Sequence, residues 1–597
     1  MTNALRKSDH AIIKKLFGGA VVTMAIAELT SSISAVIDGI LTGQFLGKIS
    51  LAASGLGTPY FSVACLISMV IMMGCTSRCT NAIGRGDADD VKRAFSLSVT
   101  LALALGTVLS VCGFIFSKQF VILFGGGNAS PELKEMTSGY LKGLFLGTPG
   151  FILCVLLTPL VQLDGNPHIA KVSSAVMILS DVAGDVLNAL VFRGGMFGMG
   201  LATSVAQWLA AAVVLTHFFK KDRMLKFSFA AVRFSDAPRL LSDGLPMAFS
   251  MVGRALLPII LNNLIISRVG DYGSTAYSAL ISASFVLGAL GWGIGGAVMM
   301  MGGMMHGEQD AGGLKTVIVQ GLKIILLGVI PFGLVVFFTA PLAAKIFIPD
   351  GGEAYTYLAD AFKFYAATLP FLAFNVLSSN YFQATGRKIE SNVINFCIEV
   401  VMTATAAVIF IGTLGINGVW AAFLVGQSTL SLMILARCLI FRDKTRKGIY
   451  SIMALKKDFG IGDADLIECS VSTAEEVVTL SENIAGFCKA HNFSAKETYR
   501  LALCIEEMAG NVIEHGFNDG KDHHLDVRII YKNGGVVLRM RDDCRKFDLR
   551  EKAKTWAYDK DRPEANIGIR LVLGAAQKID YTNAMNTNNL IVTIKRD

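Results

Sequence analysis

The chain has 597 residues, of which 53% are hydrophobic and 17% charged, with a mean hydropathy of +0.54. That balance excludes an ordinary water-soluble protein and points to a membrane body. The formal net charge is +8, but the basic residues fall in short loops between apolar stretches and not along one face, so no nucleic-acid partner is expected.

An apolar stretch that crosses a bilayer needs about 20 residues. In chain order such stretches run at about 15–40, 51–77, 93–117, 138–162, 170–192 and 198–219, then at about 245–268, 275–302, 315–339, 358–383, 391–413 and 417–440. The first opens after Lys14-Lys15, lacks a small-residue cleavage site and leads into further apolar segments, so it is expected as a retained helix and not a signal peptide. Lys14-Lys15, Arg85/Lys92/Arg93, Lys220-Lys221/Arg223/Lys226, Arg387-Lys388 and Arg442/Lys444/Arg446/Lys447 share one side if the helices alternate. The opposite loops are poorer in base, with Lys48, Lys134, Arg268 and Lys345 among the exceptions. The positive-inside pattern therefore predicts a multi-pass protein of the cytoplasmic (inner) membrane with both termini cytosolic. Its expected units are a six-helix lobe at 1–219, a connector at 220–243, a second lobe at 244–441, a basic linker at 442–460 and a cytosolic domain at 461–597. Eleven cysteines show no paired framework. Cys469, Cys488, Cys504 and Cys544 are expected as reduced thiols, and Cys75 and Cys79 as packing residues with no metal site.

Set against itself at an offset of about 220 residues, the membrane part falls into register, which predicts two homologous parallel halves. Leu46-Gly47 meets Val269-Gly270; Gly84, Asp87 and Lys92 meet Gly307, Asp310 and Lys315; Gln162 and Gly165 meet Gln383 and Gly386; Gly198 and Gln207 meet Gly418 and Gln427. Prolines within spans, such as Pro149, Pro159 and Pro370, allow kinks. These landmarks resemble the multidrug and toxic compound extrusion (MATE) transporters: Val36-Ile37-Asp38-Gly39-Ile40-Leu41-Thr42-Gly43, Gly84-Arg85-Gly86-Asp87, Gln162-Leu163-Asp164-Gly165-Asn166-Pro167, Asp185 before Gly198-Met199-Gly200, and Gln383-Ala384-Thr385-Gly386. The resemblance covers most of residues 10–440. It implies an all-α body of twelve helices in two six-helix lobes that exports organic, often cationic, molecules against inward H⁺ or Na⁺.

An ionised group near the bilayer centre costs about 2.5–3.5 kcal/mol on insertion scales, so acids there face a cavity or a partner. Asp38 and Asp185 match positions where the resembling transporters carry acids, which implies an ion-coupling role, and Asn188 stands three residues from Asp185. The alternative is that Asp38 merely lines the outer mouth, or that Asp181 and Asp185 are fixed polar links to neighbouring helices. Glu28, Asp181 and Glu399 are secondary cavity acids, and Arg254 is a candidate partner for one of them. The eighth span carries no acid, so no second coupling site is expected in the C-terminal lobe. Met299-Met300-Met301, Met304-Met305, Trp292 and Phe285 read either as a soft wall for ligands or as ordinary packing.

After the basic linker, helix and strand signals alternate. Ser472-Thr473-Ala474-Glu475 reads as a capping box, a helix is expected at about 495–514, strands at 525–530, 536–540 and 590–594, and a last helix near 569–576. The sum is a cytosolic α/β sandwich. Glu507-x-x-x-Asn511-x-x-x-His515, then Asp542-x-Cys544-x-x-Phe547-Asp548, then Gly568-Ile569-x-Leu571 resemble the GHKL-type ATPase fold, particularly anti-sigma-factor serine kinases. That resemblance implies Mg²⁺ held by Asn511, a nucleophile activated by Glu507, an adenine amine bound by Asp542, and roles for His515 and Gly568 around a bound Mg-ATP. Cys544 and Asn566 stand where the fold uses glycine, and their side chains oppose close approach of a nucleotide.

The expected function is an ion-coupled antiporter for organic, cationic compounds, with a domain that senses nucleotide or a cytosolic regulatory protein. Its other partners are the small-molecule substrate and the lipid bilayer. The alternative is a membrane-anchored signalling protein whose domain acts as a serine kinase or anti-sigma-type binding module. A familiar ATP-driven pump is disfavoured, because no Gly-x-x-x-x-Gly-Lys-Ser/Thr loop is present.

Overall fold

The computed structural model describes residues 10–41, 46, 48–57, 59–124, 131–219, 223–348, 351–456, 458–518, 520, 522–532, 534–546 and 567–594. At 30–41, 48–49, 51–52, 246–250, 252, 254–255, 271, 274, 463 and 567–570 only the backbone is described.

The first half contains α1 (Ala11–Leu41), α2 (Pro59–Arg85), α3 (Ala88–Ile115), α4 (Pro131–Leu163), α5 (Pro167–Phe192) and α6 (Gly195–Phe218). The second contains α7 (Ala237–Arg268), α8 (Asp271–Gly307), α9 (Ala311–Phe347), α10 (Glu353–Ala384), α11 (Lys388–Leu414) and α12 (Ile416–Ile440). Ten helices among the described residues are long and apolar enough to cross a membrane, and α1 and its repeat-mate α7, of 31 and 32 residues, complete the two sixes. Helix α7 begins at Ala237, inside the stretch read as connector. Turns of π-helix interrupt α9 and α11 at Ile325–Val329 and Cys397–Val401, and another closes α5 at Asn188–Phe192.

The duplication reaches the level of single hydrogen bonds. After α2, Gly86 N donates to Ile83 O and Asp87 N to Ala82 O; after α8, Gln309 N donates to His306 O and Asp310 N to Met305 O. Gly86 and Gln309 are both left-handed, with φ of 72° and 56°. Asp87 and Asp310 then cap the next helix, accepting from Asp90 N at 3.0 Å and Gly313 N at 2.7 Å. The loops after α4 and α10 repeat in the same way, with Gly165 and Gly386 left-handed.

Repeat-related helices also cross-pack, α1 against α8 and α2 against α7, and α2 meets α8 directly. At that last crossing a Cβ on Gly84 would stand 2.8 Å from Gly307 Cα, and one on Gly307 would stand 2.9 Å from Gly84 Cα. Only hydrogen fits between the two backbones. His306 Nδ1 lies 2.8 Å from Asn81 Oδ1 beside the crossing. Met299, Met300, Met301, Met304 and Met305 are buried, whereas Phe285 is exposed, so the methionines pack the interior and form no common wall with Phe285.

The segment after α12 lies packed on the membrane body. Met453 and Leu455 are buried, Tyr381 Oη donates to Met453 O at 2.7 Å, and Phe459 stacks on His306 with ring centroids 5.2 Å apart. The C-terminal domain has an antiparallel sheet in the order β1-β2-β3-β5-β4, with β1 Leu466–Val471, β2 Leu525–Lys532, β3 Gly535–Asp542, β4 Lys578–Ala584 and β5 Thr587–Ile594. One face is covered by α13 (Ala474–Ala490), α14 (Ala495–Asn511) and α15 (Ile567–Ala575) over a core that includes Leu480, Ile484, Ile505, Val527, Ile529, Leu538 and Val592. β1 and β4 add to the strands expected from sequence. The cap of α13 is Thr473, whose Oγ1 accepts from Glu476 N, one residue later than the expected box; a complete capping box stands at Ser494 and Glu497 on α14. Among the described residues all eleven cysteines are free thiols.

Candidate functional site

Asp181 and Asp185 lie one turn apart on α5 and are 4% and 1% exposed. That spacing puts both carboxylates on one face, and α5 packs against α1, the helix that carries Asp38. The side chains of Asp38 and Arg254 lie outside the described residues. Asn188 is buried at the start of the π turn, where Nδ2 donates to Gly195 O at 3.0 Å and Oδ1 accepts from Gly194 N at 3.0 Å. Both ends of its amide are thus spent on the turn into α6. Glu28 is exposed on α1. Glu399 is half-buried in the π turn of α11, its Cβ against Gly253, the neighbour of Arg254.

In the C-terminal domain Glu507 and Asn511 are half-buried on the last turns of α14. Val512–Gly516 then winds as a π turn. His515, within that turn, is exposed, whereas Glu507 and Asn511 are half-buried. Asp542 ends β3 and is 5% exposed; its Oδ1 accepts from Asn588 Nδ2 at 2.7 Å and from Cys544 N at 3.0 Å. Burial pushes its carboxyl up to about 6, against these two hydrogen bonds that pull it down. The buried Cys544 packs on Gly516, with Sγ 2.7 Å from where a Cβ on that glycine would stand. The thiol therefore fills space between the end of α14 and the end of β3, beside Asp542. Gly568 lies in the first turn of α15, and Phe547, Asp548 and Asn566 lie outside the described residues. The Asn511 amide offers an oxygen of the kind that magnesium takes, and the Cys544 thiol stands beside the Asp542 carboxylate.

Sequence reasoning missed a third group of residues. Strand alternation sends Arg528, Arg539 and Arg541 to the sheet face opposite the helices, and that face lies on the membrane body. Arg539 Nη1 is 2.9 Å from Glu308 Oε2, and its Nη2 donates to Gly84 O at 2.9 Å. Arg541 also pairs with Glu308. Arg528 lies 3.4 Å from Asp310 and 3.3 Å from Glu468. Burial alone would push the Asp310 carboxyl up, but Arg528, with His10 and the Gly313 amide, holds it below the ordinary range. Burial and the adjacent Asp310 raise Glu468. On the other lobe, the tight β4–β5 turn at Met585 and Asn586, both left-handed, seats on the loop after α4, with Met585 N donating to Leu163 O at 2.9 Å. Lys15 on α1 pairs with Asp543 at 2.9 Å. The available signal was the i, i+2 spacing of the arginines, which marks a polar strand face without saying what covers it.

Residues 24–190 and 246–409 match the MatE family model, and residues 471–595 match the model of the histidine kinase-like ATPase domain. Among curated proteins, the chain is similar to the multidrug export protein MepA of Staphylococcus aureus, 22% identical over 266 residues, and of Staphylococcus haemolyticus, 24% identical over 264 residues. Each alignment takes in 43% of this chain and 58% of the relative, so the matched region spans a little over half the length of those proteins. Among solved structures, the outward-facing conformation of a multidrug resistance MATE family transporter is 20% identical, with a TM-score of 0.66 over 72% of this chain and 96% of that one. A MOP superfamily transporter from Pyrococcus furiosus is also 20% identical, with a TM-score of 0.65 over 70% and 94%. At such identity these structures establish the fold.

Proposed function

Because the chain belongs to the MATE family and carries a histidine kinase-like ATPase domain behind its membrane body, we propose that it is a multidrug-type exporter of organic, cationic compounds driven by H⁺ or Na⁺, with a regulatory C-terminal domain. In this reading the protein sits in the cytoplasmic membrane with the domain in the cytosol, as the basic loops favour. The observation that carries the proposal is the pair of buried acids, Asp181 and Asp185, on the helix that packs against the Asp38 helix. A carboxylate in an apolar span exchanges a proton or sodium ion for a cationic substrate by changing between neutral and charged states. Two repeated lobes that rock about their seam expose such a site to each side in turn. The domain keeps Asn511 and Glu507 but places a thiol beside Asp542, which supports a nucleotide or partner sensor over an efficient kinase. Uptake of a fluorescent organic cation into inside-out proteoliposomes, driven by an imposed pH or sodium gradient, tests the reading. Gradient-independent leakage, or no flux with either ion, would overturn it.

A further inference from the structure

We propose that the C-terminal domain is an intramolecular lock that holds the two lobes together on the side where it docks. This deepens the regulatory role proposed above and rests on the rocking-lobe reading of the membrane body. The domain spans both lobes with different chemistry on each. On the C-terminal lobe its hold is ionic: Glu308, 2% exposed, takes Arg539 and Arg541, and Asp310, also 2% exposed, takes Arg528. On the N-terminal lobe it uses mainly backbone and shape, with one more exposed ion pair: Leu163 O accepts from Met585 N, Ile591 occupies the space over Gly86, and Lys15 pairs with Asp543. Arg539 joins the two sets, with one nitrogen on Glu308 and another on the carbonyl of Gly84.

The place of that bridge matters. Gly84 and Gly307 form one of the close backbone crossings of the two lobes, and Glu308 follows Gly307 directly. Opening this side moves the Gly84 and Gly307 backbones apart, and one rigid guanidinium cannot keep both contacts across a widening gap. Opening then also exposes Glu308, Arg539 and Arg541 unpaired or forces the domain to leave one lobe, and either costs the stabilisation of a buried charge pair. The docked domain consequently favours the state closed on its own side, and release of the sheet face is a condition for opening. β3 places Asp542 one residue beyond Arg541, so the expected adenine-binding acid and the lock share a strand.

Hydrogen exchange of the full-length protein in lipid nanodiscs tests this without any transport assay. Arg539→Ala is expected to speed exchange of the loops 84–87 and 307–310 together, by about tenfold or more. Arg539→Lys keeps a charge for Glu308 but cannot direct separate guanidinium nitrogens to Glu308 and Gly84, so it should act in the same direction with smaller amplitude and little risk to folding. Lys532→Ala removes a contact to Gln309 of one lobe only, at 3.2 Å, and should leave the 84–87 loop unchanged. Unchanged exchange in both Arg539 variants, or faster exchange confined to the C-terminal lobe, overturns the lock. Flux measured on the same variants separates the two proposals: coupled loop opening without transport of any cation keeps the lock and rejects the exporter.

Discussion

Gly84 and Gly307, repeat-related residues some 220 positions apart in sequence, meet backbone to backbone at the crossing of α2 and α8, each leaving less than 3 Å for a Cβ on the other. Replacing either by valine is expected to lower stability by about 1–3 kcal/mol through overpacking. Thermal unfolding in detergent would show a drop for each variant, and a double variant should lose less than the sum because both push the same crossing apart.

Asp185→Asn is expected to abolish gradient-driven export while the protein still inserts and stays monodisperse. The amide keeps the size of the side chain but cannot cycle between charged and neutral forms. Asp38→Asn should do the same. Wild-type flux in either variant, under an imposed ion gradient, removes that residue from the coupling.

Calorimetry on the full chain with Mg-ATP and Mg-ADP should find weak binding. Cys544→Gly removes the thiol packed against Gly516 and is expected to tighten binding by roughly tenfold, as relief of a steric block of about 1–2 kcal/mol would. Asn566→Gly should add to it. Tight Mg-dependent binding by the unaltered chain would contradict the steric reading.

The Asp542 carboxyl titrates near 6 when folded, above its ordinary value of 3.8. A raised acid pKa means the folded domain holds the proton more tightly, so its contribution is fully present below about pH 4 and lost as pH rises through 6. Asp542→Asn should therefore stabilise the domain by about 2–3 kcal/mol at pH 8 and by little at pH 4. Denaturant unfolding at the two pH values, followed by exchange of β3 amides, checks the sign.

A membrane body cut after Gly460 should transport, since the candidate coupling acids all precede it. One cut after Phe441 loses Met453 and Leu455 from the interior and the Tyr381 hydrogen bond to Met453. Its midpoint of unfolding is expected several degrees lower, as loss of two buried apolar side chains at about 1.5–3 kcal/mol each predicts.

The apolar runs determined the spans because a bilayer demands length and low charge, which are properties of contiguous sequence. The repeat was equally legible, since Gly84, Asp87 and Gly165 recur as Gly307, Asp310 and Gly386 and each answers a local backbone need, a close crossing, a helix cap or a left-handed turn. Glu507 and Asn511 were readable together for the same reason, being one helical turn apart, whereas the π turn that carries His515 is not announced by spacing. What only the tertiary structure decided was the company of Glu308, Arg528, Arg539 and Arg541. Each looks like a solvated surface charge in its own segment, and only the docking of a sheet face onto loops more than 200 residues away buries them. Burial makes such charges costly to separate, so the contacts that bear most directly on control of the lobes are those that no local pattern encodes.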